Sequence, residues 1–164
     1  MTGHKLIEWQ DDLSVGIDEI DSQHKTLVDI VNELHQAVAG RRGKEVMQEI
    51  LDRLDEYTRI HFATEESLMR IFHYPAYETH KETHDQLIDQ LRHIRKDFEE
   101  GHGGVTFELM QVLKNWLVKH IQHSDKEYTP YFMQGKLSSN EAPKSWFERL
   151  WPWGARKESR ETTE

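Results

Sequence analysis

Apolar residues return along most of this chain at alternating steps of three and four, the spacing that lines one face of an α-helix, and seldom at the step of two that marks a strand. A first stripe runs Ile20, His24, Leu27, Val31, Leu34, Val38 and stops at Gly40, with Gly43 just beyond. A second runs Met47, Ile50, Leu54, Tyr57, His61, Glu65, Leu68, Phe72 and ends before Pro75. The third extends from about Tyr77 through His80, His84, Leu87, Leu91, Ile94 and Phe98 until the glycines at 101, 103 and 104 break it. The fourth starts near Thr106, reads Leu109, Leu113, Trp116, His120 and reaches Asp125 shortly before Pro130. Glycine and proline fall between the stripes, where helices end. Four amphipathic helices on short loops bury their stripes most economically as an antiparallel up-down-up-down bundle, so the expected class is all-α.

An irregular N-terminal arm, residues 1–17 with Leu6, Ile7, Trp9 and Leu13, is expected to lie across the bundle. After about residue 133 the sequence turns to GKLSSNEAPK, a linker by composition. The expected division is therefore a bundle over 1–133 and a linker with a C-terminal extension over 134–164. In the extension Trp146, Phe147, Leu150 and Trp151 share one face of a short helix stopped by Pro152, with Trp153 just beyond. That segment is locally basic, which suits contact with a membrane surface, a partner protein or the protein itself.

Charge and composition narrow the chemistry. The 164 residues carry 21 Lys and Arg against 30 Asp and Glu, a net charge of -9, opposite to the basic footprint that nucleic acids demand. There is no cysteine, so a metal site must use nitrogen and oxygen ligands. No signal-like or membrane-spanning run of apolar residues occurs, which points to a cytoplasmic protein. Eleven histidines are far more than packing needs.

Their placement is informative. His24, His61, Glu65, His80, His84 and His120 occupy seam positions that ordinarily hold Leu, Ile or Val. A single buried histidine is usually a hydrogen-bonded core residue, but five with in-register acids would need many buried partners that this sequence does not offer. Residues four apart share a helix face, so His61 with Glu65, and His80 with His84, can each aim two ligands at one point. Asp125 lies five after His120, which turns it about 140° away in a regular helix, so it needs a π-type or loosened turn to reach inward. Two six-coordinate ions offer twelve positions. Five imidazoles take five, two bridging carboxylates four and one bridging oxo or hydroxo group two, leaving one open for a small neutral molecule. Bridging carboxylates with an oxo group favour iron. Glu66 falls off the seam, and His4, His35, His73, His93, His102 and His123 lack a partner at ligand spacing, although His123, three after His120, is close.

DSQHKTL at 21–27, HFATEESLM at 61–69, HKETH at 80–84 and WLVKHIQHSDKEY at 116–128 together resemble the bacterial hemerythrins over about residues 6–133. The resemblance implies two irons per chain, one held by His80, His84 and His120 and the other by His24 and His61, with Glu65, Asp125 and an oxo or hydroxo group as bridges. It also implies that O2 binds at the iron held by His24 and His61. Leu117 would face that pocket, Tyr128 would sit near Asp125, and Phe62 and Trp116 would form walls. Reversible O2 binding for carriage, storage or delivery is the expected function, without catalytic turnover. The alternatives are a di-iron oxidase, peroxidase or nitric-oxide-handling enzyme, or an O2 sensor acting through the tail.

Overall fold

The computed structural model describes residues 4–138. A short 3₁₀ turn, Asp11–Leu13, precedes four long helical rods: α1 (Asp18–Ala39), α2 (Lys44–Ile71), α3 (Tyr77–Glu100) and α4 (Phe107–Lys119). The last rod runs on through a π-helical stretch, His120–Asp125, into α5 (Lys126–Ser138). No strand occurs among the described residues. Helix α1 packs against α2 and α4, and α2 against α3, which gives the four-helix bundle that the stripes predict. The chain divides into two compact units, Met1–Phe132 and Met133–Glu164. The aromatic residues of the C-terminal extension, Trp146 to Trp153, lie outside the described residues.

The stripes become the core. Ile20, Leu34 and Met110 are fully buried, as are Leu27, Ile50, Leu54, Leu87, Leu91 and Leu113 around them. Tyr57, Phe72, Ile94 and Phe98, also in the stripes, are only half-buried. Helix boundaries follow local chemistry. The Thr106 hydroxyl accepts from the Leu109 amide at 3.2 Å and caps α4. Gly101 closes α3 in the left-handed region at φ 74°, where a Cβ would be strained. Pro130, which the sequence suggests as a terminator, lies inside α5 instead. It stands in the opening turns of α5, five residues past the end of the π stretch, so its missing N–H falls close to a backbone register that is already interrupted. There the Thr129 hydroxyl donates to the Asp125 carbonyl at 3.3 Å.

The N-terminal arm is pinned in place. Ile7, Leu13, Val15 and Ile17 are buried, and the Asn32 side chain both accepts from the Ile7 amide (2.9 Å) and donates to the Ile7 carbonyl (2.8 Å). The buried Asp21 carboxylate takes the Val15 amide at 2.8 Å and the Ser14 hydroxyl. Gln122 donates to the Asp12 carboxylate and Lys126 to the Asp12 carbonyl, tying the arm to the π stretch. Among the described residues no helix is long and apolar enough to cross a membrane.

Candidate metal centre

All seven side chains singled out from the sequence converge inside the bundle. His24 comes from α1, His61 and Glu65 from α2, His80 and His84 from α3, and His120 and Asp125 from the π stretch. Every one is buried, with His24, Glu65, His84 and Asp125 at zero exposure. Their ligand atoms fall into two sets that share both carboxylates: Glu65, His80, His84, His120 and Asp125, and His24, His61, Glu65 and Asp125.

The two oxygens of each acid are divided between the sets. Glu65 turns Oε1 towards His61 Nε2 (3.2 Å) and His24 Nε2 (3.6 Å), and Oε2 towards His84 Nε2 (3.2 Å). Asp125 turns Oδ2 towards His24 Nε2 (2.9 Å), and Oδ1 towards His120 Nε2 (2.9 Å) and His80 Nε2 (3.3 Å). The π geometry makes the second arrangement reachable, because at a wider turn residues five apart return to the same face. The sequence problem posed by the His120–Asp125 spacing is solved by local backbone, as that spacing requires.

Donor atoms this deep need partners. Yet His24 Nε2, His61 Nε2, His80 Nε2, Glu65 Oε2 and both Asp125 oxygens make no aligned hydrogen bond. Each orphan costs about 1–3 kcal/mol if left unsatisfied. His84 Nε2 and His120 Nε2 also face each other at 3.2 Å, two nitrogens competing for one proton. Lone pairs converging from five imidazoles and two acids are what a pair of cations satisfies, so this donor set fits two metal ions.

The electrostatics of the protein alone point the same way. Burial works against charge on Glu65, but His61, His24 and His84 hold its pKa well below the usual carboxylate range. Burial likewise opposes the Asp125 anion, as does Glu65, and His120 and His24 override both and lower its pKa. Burial disfavours the His24 cation, but Asp125 and Glu65 raise its pKa to about 9. At His61 burial dominates and lowers the pKa, whereas at His84 the carboxylate of Glu65 overcomes burial and raises it. Both acids thus favour their anionic forms inside the core, and the compensating positive charge comes from a proton or a metal.

Surrounding side chains hold the imidazoles in position. Gln23 Oε1 lies 2.7 Å from His61 Nδ1, and Glu66 Oε1 lies 3.0 Å from His84 Nδ1. Each acceptor places the ring proton on Nδ1 and leaves the Nε2 lone pair pointing at the centre. Neither residue is singled out by the sequence: both fall beside a seam position, and nothing in one chain's periodicity says which histidine lies opposite. Phe62 stacks flat on His84 (ring centroids 3.6 Å apart, 4° between planes) and Trp116 on His120 (4.9 Å, 16°), so both wall the three-histidine set. Tyr128 is fully buried, and its O–H donates to Glu65 Oε1 at 2.5 Å. Tyr128, expected near Asp125, gives its hydroxyl to the Glu65 carboxylate of α2, while Asp125 turns its oxygens to His24, His80 and His120. Burial and the two acids raise the Tyr128 pKa well above its ordinary value, so it stays a donor.

One helical turn from the centre lies a small apolar cavity of about 20 Å³. Leu27, Thr58, Leu87 and Leu117 line it, each three residues from His24, His61, His84 and His120 respectively. Leu117 is buried there. Of the remaining histidines, His35 is half-buried and His4, His73, His93, His102 and His123 are exposed. His123 therefore takes no part in the cluster.

A four-helix bundle whose core holds five imidazoles and two shared carboxylates defines a dinuclear metal-binding protein. The model of the hemerythrin HHE cation binding domain matches residues 15–132. The chain belongs to the hemerythrin family. It is 37% identical over 123 residues to a bacteriohemerythrin of Stenotrophomonas maltophilia, covering 75% of this chain and 79% of that one. It is 39% identical over 120 residues to a bacteriohemerythrin of Pseudomonas aeruginosa, covering 73% and 77%. The crystal structure of a wild-type hemerythrin superposes with a TM-score of 0.74 at 32% identity, covering 77% of this chain and 98% of that one.

Proposed function

We propose that this protein binds O2 reversibly at a di-iron centre, for carriage, storage or delivery. The observation that carries the reading is the division of the Glu65 and Asp125 oxygens between a set of three imidazoles and a set of two. In this reading His80, His84 and His120 would hold one iron and His24 and His61 the other, with Glu65 and Asp125 shared between them. When bound, the iron pair would supply the two electrons that reversible O2 binding uses.

The rest is the work of the chain. Gln23 and Glu66 orient His61 and His84, and Tyr128 fixes the tilt of Glu65. Leu117 and the neighbouring leucines keep the adjoining cavity dry, because a single water needs two to four polar partners and these side chains supply none. Excluding water protects the reduced state from anions and protons. Neutral imidazoles outnumber carboxylates five to two here, which gives less anionic support for high-valent iron than the carboxylate-rich di-iron enzymes have. That favours binding over turnover.

The test is to load the protein with iron, reduce it, oxygenate it and then purge with inert gas. Release of stoichiometric O2 with recovery of the starting spectrum supports the reading. Accumulation of hydrogen peroxide without O2 release would turn it towards an oxidase.

A further inference from the structure

Three of the five tyrosines make a path from the centre to solvent. Tyr128, at zero exposure, touches the cluster through Glu65 and lies 5.7 Å, centroid to centroid, from His80. Tyr74, 7% exposed, meets Tyr128 edge to face at 6.5 Å and Tyr131 edge to face at 5.1 Å. Tyr131 is 38% exposed. These separations are within the 4.5–7 Å of rings in direct contact. Tyr57 and Tyr77 belong to no such chain among the described residues. The Tyr128 hydroxyl already serves Glu65, but packing has no need for a phenol at Tyr74, where phenylalanine would fill the same volume without a buried hydroxyl to satisfy.

We propose that Tyr128, Tyr74 and Tyr131 form a one-electron relay that carries oxidising equivalents from the metal centre to the surface when hydrogen peroxide reacts at that centre, where a small reductant of the thiol or ascorbate class quenches them at Tyr131. The proposal rests on the di-iron reading above. An electron leaves Tyr128 for the peroxide-oxidised centre while the phenolic proton is shared along the existing hydrogen bond towards Glu65 Oε1. Tyr74 then reduces Tyr128, which takes its proton back, and Tyr74 gives up its own proton to Glu127. Burial, and then that carboxylate, raises the Tyr74 pKa. Tyr131 reduces Tyr74 in turn, Tyr74 recovers its proton from Glu127, and Tyr131 loses a proton to water. The external donor returns one electron to Tyr131, and water the proton, so every tyrosine ends as it began. One electron has moved from donor to centre.

The relay can be driven outward with hydrogen peroxide, which accepts two electrons and two protons to give two waters, drawing the electrons singly through the chain. Iron-loaded full-length protein is treated with peroxide in the presence of a nitroso spin trap, and adducts are located by peptide mass spectrometry. The expected adduct is on Tyr131, with none on the partly exposed Tyr57 and Tyr77 and none in metal-free protein. Tyr74→Phe keeps the ring and Tyr131 itself but removes the middle hydroxyl, and is expected to abolish the Tyr131 adduct. Tyr131→Phe, a surface change safe for folding, is expected to lengthen the lifetime of a tyrosyl signal in electron paramagnetic resonance. The proposal is overturned by a Tyr131 adduct at full yield in Tyr74→Phe, by equal labelling of Tyr57 and Tyr77, or by no tyrosine adduct in the unaltered protein. Iron content and O2 release of the same samples separate the two readings. Protein that holds two irons and releases O2 but fails to label Tyr131 fails the relay alone, and protein that takes up no iron fails both.

Discussion

His61 is one of two imidazoles on its side of the shared carboxylates, and its neighbours leave no spare nitrogen to replace it. His61→Ala should therefore abolish the O2-dependent absorbance and reduce iron from two per chain towards one, with the His80, His84 and His120 set still filled, as metal analysis and visible spectra would reveal. Gln23 acts at one remove. Its carbonyl fixes the His61 ring from Nδ1, and losing such an orienting partner typically weakens metal binding about 10–100-fold, so Gln23→Ala should release iron to a chelator faster by a similar factor. Leu117 acts by bulk. Leu117→Ala opens a buried apolar site at a cost of about 2–5 kcal/mol. It should leave both irons in place and speed conversion of the oxygenated form to the oxidised one, by admitting water and anions. Unchanged autoxidation would mean that Leu117 does not guard the pocket.

At the scale of elements, the π stretch decides whether Asp125 is a ligand at all. In a regular helix it would point about 140° from His120; here it lies 2.9 Å from that residue's Nε2. A π turn gives up regular hydrogen bonding and persists where something repays it. The N-terminal arm contributes through Asp12, and a metal bound by both His120 and Asp125 would contribute more. Hydrogen exchange should accordingly be fastest, among the buried helical segments, over residues 120–128 of the metal-free protein, and iron should protect that segment more than α1. Equal protection along the whole bundle would show that the π geometry is held by packing alone.

For the molecule as a whole, the centre is a stack of unsatisfied donors at the heart of the core, so the fold carries a liability that metal removes. Iron loading should raise the melting temperature, and a metal-free protein melting at the same temperature would contradict the fit between donors and ions. Every residue of the proposed centre precedes residue 133. Truncation there should leave two irons and the O2-dependent spectrum intact. A change in oligomer size on truncation would assign the apolar residues Trp146, Phe147, Leu150, Trp151 and Trp153 to a self-contact. Salt-dependent sedimentation of the full chain alone with anionic liposomes would assign them to a membrane surface.

The chain's own periodicity determines four helices and places histidines in their seams, because burial on one face of a helix is written in steps of three and four. It also exposes the oddity of Asp125, since a spacing of five cannot serve one face of an α-helix. Tertiary structure alone decides which oxygen of Glu65 and Asp125 meets which histidines, that Gln23 and Glu66 lie behind His61 and His84, and that Tyr128 bonds to Glu65 rather than Asp125. The reason is physical. A stripe specifies the direction of a side chain relative to its own helix axis, whereas a contact between helices depends on their relative height and rotation, which are settled only when all four faces pack at once.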